Sequence, residues 1–160
     1  MKKTKRKSIL AVVLVGLLAI SLISCNKQEI KDSDMLNIIG ENKEDIKEIR
    51  LTTGKLVPDE YKKIADEEQI DKIIDEMQTI KFIEEVDKKE SEKEIKPEDI
   101  NWAMILFTKS GNGITLTSLK NSDNIAIKKG VKEVFYKTDY NDEILDKIID
   151  IAKIRRDQLN

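Results

Sequence analysis

Histidine is absent from the 160-residue chain and cysteine occurs once. Without an imidazole there is no Ser-His-Asp or Cys-His arrangement and no His-ligated zinc, haem or iron. Nor is there a side chain whose ordinary pKa switches charge between about pH 5 and 8. A single thiol closes neither an internal disulfide nor a thiolate cluster. Aromatic residues make up 4% of the chain, which leaves few rings for stacking sugars. Lysine is abundant, but Lys+Arg 29 is offset by Asp+Glu 31 and the cations are spread along the chain. A basic face for nucleic acid is therefore not expected. No cofactor motif and no metal-ligand set stands out, so no catalytic residue, metal or cofactor is expected. Hydrophobic content of 39% beside 38% charged residues suits one soluble domain of ordinary size.

What is present is concentrated at the front. Lys2, Lys3, Lys5, Arg6 and Lys7 supply five positive charges with no acid, and Ile9 to Ile20 is an apolar run broken by one glycine. Extended to Ile23 the run would be about 22 Å long as a helix, short of the roughly 30 Å a membrane-spanning helix must cross. A charged segment followed by a short apolar one is the pattern of an export signal. Next come Leu22, Ile23, Ser24 and Cys25. This order of aliphatic, tolerant, small and cysteine resembles the lipobox of bacterial lipoproteins, in particular the small lipoproteins of Gram-positive bacteria. The resemblance implies that the Cys25 thiol takes a diacylglyceryl group and that a peptidase recognising Leu22, Ile23 and Ser24 cuts before it. The expected location is the extracytoplasmic face of the cell membrane, held by covalent lipid. Removing residues 1–24 would also remove those five cations, leaving 24 basic against 31 acidic side chains and a formal balance of −7. Anionic lipids would repel such a domain, so the lipid would have to hold it.

Residues 25–45 are mostly polar and most of them are expected to form a tether with a reach of about 25 Å, carrying an apolar island at Met35, Leu36, Ile38 and Ile39 that can dock on the domain edge. Residues 46–160 are expected to form one domain. Lys47 to Thr53 alternates as a strand. Asp66 with Gln69 three residues on marks a helix start, and Ile70, Ile73, Ile74 and Met77 give that helix one apolar stripe. Glu84 to Asp99, rich in Glu and Lys and containing Pro97, is expected as a long solvated loop. Four strands follow, from Trp102 to Thr108, Ile114 to Leu119, Asn124 to Lys128 and Val131 to Lys137, joined by short turns. Asp139 or Asn141 is expected to cap a last helix running from Asp142 to about Arg155. The order β-α-β-β-β-β-α predicts an α+β fold with two layers: a mostly antiparallel sheet with two helices on one face. That element order resembles one half of a TATA-binding-protein-like fold, a likeness of topology that carries no function.

Other candidate chemistry reads more simply as structure. Gly111-Asn112-Gly113 joins two strands and is expected as a hairpin turn, not a phosphate loop. Asp139 to Glu143 begins like a calcium loop, but Ile144 stands where that loop requires glycine. The acids between Glu84 and Asp99 alternate with lysines that would neutralise their field. Trp102, the only tryptophan, lies in the most apolar strand and is expected in the core. The favoured function is a noncatalytic binding module for an envelope protein or peptide. The competing reading is a histidine-free hydrolase of envelope material using two carboxylates, which would require a pocket with converging acids. A solute receptor usually needs two lobes, and the chain has length for one.

Overall fold

The computed structural model describes residues 29–53, 61–86 and 95–153. In chain order these form β1 (Glu29–Ser33), α1 (Met35–Ile39), β2 (Ile46–Thr53), β3 (Lys62–Ile64), α2 (Glu67–Met77) and β4 (Phe82–Val86). There follow β5 (Ile100–Thr108), β6 (Gly113–Leu119), β7 (Asn124–Lys129), β8 (Lys132–Thr138) and α3 (Asp142–Ile151). The strands make one sheet in the order β1-β4-β8-β7-β6-β5-β2-β3, and every described ladder is antiparallel. The α+β class with an antiparallel sheet is therefore as expected. The predicted run of elements is present as β2, α2, β5, β6, β7, β8 and α3. β3 and β4 interrupt it and β1 with α1 precede it, so the architecture departs from the half TATA-binding-protein order.

The register explains the layer structure. Ile49 of β2 lies opposite Leu106, which lies opposite Ile114; Leu51, Met104, Leu116 and Ile127 form a second such row. Side chains alternate across a strand, so both rows occupy one face. They join the buried stripe of α2 (Ile70, Ile73, Ile74, Met77) and Ile144, Ile148 and Ile149 of α3 in one apolar core. The two long helices are also tied to each other. Lys147 pairs with Glu76 at 2.7 Å, and the Gln69 side chain donates to the Ile151 carbonyl at 3.2 Å. Gln69 thus leaves the capping box half made: the Asp66 carboxylate accepts from the Gln69 backbone N–H at 2.9 Å, while the amide that would close the box joins the helices instead.

Two expectations are corrected. Met35 and Ile39 are 0% and 3% exposed and belong to the main core, so α1 is part of the fold and the stretch expected as tether is not solvated to residue 45. Asp34 caps α1 through the Asn37 N–H at 2.9 Å, and Gly40, at φ +64°, ends it by donating to the Leu36 carbonyl at 2.9 Å. The second correction concerns residues 84–99. Glu84, Glu85 and Val86 lie in β4, paired with β1 on one side and β8 on the other. A register shift between Phe82 and Glu84 breaks the alternation in both ladders, which hides the strand from a period-of-two reading. The last helix ends at Ile151, short of the expected Arg155, and Arg155 lies outside the described residues.

Candidate interaction surface

The face of the sheet opposite the helices carries a charged and aromatic patch on β2, β3 and β5. Arg50 lies directly opposite Ile105 and Lys63, and Glu48 opposite Phe107. The Glu48 carboxylate takes Arg50 Nε at 2.7 Å and Lys63 Nζ at 2.8 Å, while the Arg50 guanidinium lies 4.6 Å from the centre of the Phe107 ring. Hydrogen bonds from Lys63 and then Arg50 hold the Glu48 carboxyl below the usual carboxylate range. This suits an acid that orients an arginine and is opposite to what a general acid requires. Arg50 and Phe107 both remain partly exposed, an arginine and an aromatic pre-set beside a three-residue edge strand. Those residue types are enriched among the energetically dominant contacts of protein interfaces.

A second feature lies at the β7–β8 turn. Lys129 pairs with Lys132, leaving Gly130 and Val131 as a two-residue loop. Gly130 has φ +61° and Val131 does not share the positive sign, the pattern of a type II′ turn. The turn holds Val131 fully exposed at the tip. Beside it, Glu85, Val86 and Val131 to Phe135 line an open groove of 490 Å³. Val131 was expected only as the start of a strand. The signal for its position was available, since a valine following glycine among three lysines is placed where a turn residue belongs.

The other sequence candidates separate. Leu22, Ile23, Ser24 and Cys25 lie outside the described residues. Of the acids from Glu84 to Asp99, Glu84 and Glu85 are on β4, whereas Glu98 and Asp99 sit in a short 3-10 turn before β5, where the Asp99 carbonyl accepts from the Lys120 N–H beside the Ile100–Leu119 pair. No group of three potential metal-ligating side chains occurs among the described residues. Asp139 to Glu143 forms a joint: Asp139 accepts from the Lys81 N–H at 2.7 Å, Asn141 caps α3, and Asp142 accepts from Asn101 at 3.1 Å. Gly111-Asn112-Gly113 is the expected hairpin turn, with Thr108 donating to the Asn112 carbonyl at 2.9 Å.

Trp102 is 1% exposed and meets the Tyr140 ring edge-on at 5.5 Å. Burial, the largest cause, pushes the Tyr140 phenol well above its ordinary value; the neighbouring Asp142 and Asp146 act in the same direction, and the Trp102 indole opposes them. Trp102 and Ser118 are opposite each other in the β5–β6 ladder, and the buried Ser118 Oγ has no hydrogen-bond partner among the described residues. An unpaired buried hydroxyl forfeits its hydration without return. Ser118→Ala is therefore expected to be neutral or to stabilise the domain by up to about 1 kcal/mol, read from the denaturant midpoint at constant slope. A loss of stability would show that the hydroxyl is satisfied in solution.

No protein-family profile, curated protein or solved structure matches the chain. Among the described residues no helix is long and apolar enough to cross a membrane.

Proposed function

We propose that the protein is a lipoprotein anchored on the extracytoplasmic face of the membrane, where its α+β domain acts as a noncatalytic binding module for an envelope protein or peptide. One observation carries the reading: a basic segment, a short apolar run and Leu22-Ile23-Ser24-Cys25 follow one another in the order that export, lipid transfer and cleavage require. The anchoring half rests on Cys25, with Leu22, Ile23 and Ser24 as the recognition residues for the peptidase. The binding half is supported by the Arg50–Phe107 patch, which offers a cation and a ring on a face that the helices leave uncovered.

Cys25→Ala is the direct test, in cells fed labelled palmitate and then fractionated. The wild-type chain is expected to carry label and to sediment with membranes. The variant should carry none and either leave the membrane fraction or persist at precursor length. Unchanged processing and retention in the variant would refute the anchor.

A further inference from the structure

We propose that the sheet face opposite the helices docks an extended acidic segment of a partner protein, laid across the strands so that two carboxylates four residues apart meet Arg50 and Lys128. This rests on the binding-module reading and names the partner's chemistry.

The register builds the track. Lys63, Arg50, Ile105, Thr115 and Lys128 stand each directly opposite the next, on the neighbouring strands β3, β2, β5, β6 and β7. Ile49 and Leu51, Met104 and Leu106, and Ile114 and Leu116 flank the middle three residues and point into the core under the helices. Alternation therefore turns the row to the other face, where all five side chains remain partly or fully exposed.

Arg50 is set to receive an acid. Glu48 takes its Nε at 2.7 Å, and the Phe107 ring lies under the guanidinium, 4.6 Å to its centre. That ring is seated against Gly113, where an added Cβ would already touch it at 3.6 Å. The two terminal nitrogens of Arg50 donate to no described residue, so the flat end of the fork is open to a bidentate carboxylate. Glu48 also holds Lys63 at 2.8 Å, which leaves these three side chains with a net positive charge. At the far end of the row Lys128 is exposed and makes no ion pair among the described residues.

Spacing then specifies the ligand. Strands lie about 4.8 Å apart, so three steps from β2 to β7 separate Arg50 from Lys128 by about 14 Å. An extended chain rises about 3.4 Å per residue and presents every second side chain to one side, so positions i and i+4 span the same distance. The side chain at i+2 falls between Ile105 and Thr115, which suits an apolar residue. Glu133, opposite Lys128 on β8, closes the track, because a third acid at i+6 would meet it and be repelled. The net negative charge of the domain is screened over about 8 Å at physiological salt, so the cations in contact decide the interaction.

The test titrates the full chain in nonionic detergent against capped peptides carrying a neutral dye, with anisotropy as the readout. Glu-Thr-Val-Thr-Glu is expected to bind several-fold tighter than Gln-Thr-Val-Thr-Gln, and tighter than Glu-Glu-Val-Thr-Thr, which has the same charge at the wrong spacing. Arg50→Gln and Lys128→Gln should each remove most of that preference, and so should Arg50→Lys, which keeps the charge without the fork. Lys120→Gln, in the turn after β6, should leave it unchanged, and circular dichroism confirms that each variant is folded. Equal affinity for the three peptides, or a preference that survives the Arg50 and Lys128 substitutions, would overturn the proposal. A dimer mass that Arg50→Gln abolishes, with no peptide bound, would assign the face to a second copy instead. Cleavage of the peptide, seen by mass, would overturn the noncatalytic reading and the docking site with it. Lipid on Cys25 is checked by mass in the same preparation, and its absence would sink the anchor while the peptide result stands.

Discussion

Deleting Asn26 to Lys43 is expected to lower the unfolding midpoint by about 10 °C or more, although the composition of that stretch predicts almost no change. The deletion removes Met35 and Ile39, which are 0% and 3% exposed within the main core. Burying side chains of this size contributes about 1.5–3 kcal/mol each. It also removes β1 from the sheet edge and the acceptors of Lys129, namely the Ile39 carbonyl and Glu41. Met35→Ala isolates the packing from the chain loss. It should cost about 2–5 kcal/mol, because the site is enclosed and the cavity can close only in part. Thermal and urea unfolding of the soluble chain beginning at Asn26 measure both. A shift of less than a degree or two for the deletion would mean that α1 docks too weakly to count as part of the domain.

Trp102→Ala is expected to cost about 3–5 kcal/mol, comparable to the whole margin of a weakly stable domain. Trp102 heads the fully buried side chains of the core, lies in a strand paired on both sides, and packs edge-on against Tyr140 at the start of α3. Truncation would therefore open a cavity and loosen the joint that seats the last helix. Trp102→Phe distinguishes the two contributions of the indole. It keeps a ring against Tyr140 and removes only part of the buried volume, so the cavity it leaves is smaller than that of the alanine variant. The phenylalanine variant should retain most of the stability that the alanine variant loses, judged from urea midpoints at constant slope. If both variants unfold at the wild-type midpoint, the tryptophan is a surface platform and its place in the core is wrong.

Amphipathic periodicity made α2 and α3 legible, because a stripe such as Ile70, Ile73, Ile74 and Met77 has one way to be buried. The hairpin strands β5 to β8 were legible for a similar reason: apolar alternation and short Gly- or Asn-containing turns set their pairing locally. The resemblance of Leu22 to Cys25 to a lipobox needs no tertiary structure to be read, since a signal of that kind is a linear segment. β4 and β1 are different. Their ladders contain register shifts, half of their residues are charged, and only partners distant in sequence turn them into strands. The five-residue α1 is likewise too short to hold itself together and exists because the core accepts Met35 and Ile39. By itself, then, the sequence determined the class of fold and the local elements whose pattern repeats within a few residues, and the proposal of a lipid anchor rests on it alone. Only the tertiary structure decided that α1 belongs to the core, that Arg50, Glu48 and Phe107 share a face, and that Val131 stands exposed at the tip of the β7–β8 hairpin. Those are non-local facts: they depend on which strands lie side by side and in which direction, and no short-range periodicity encodes that.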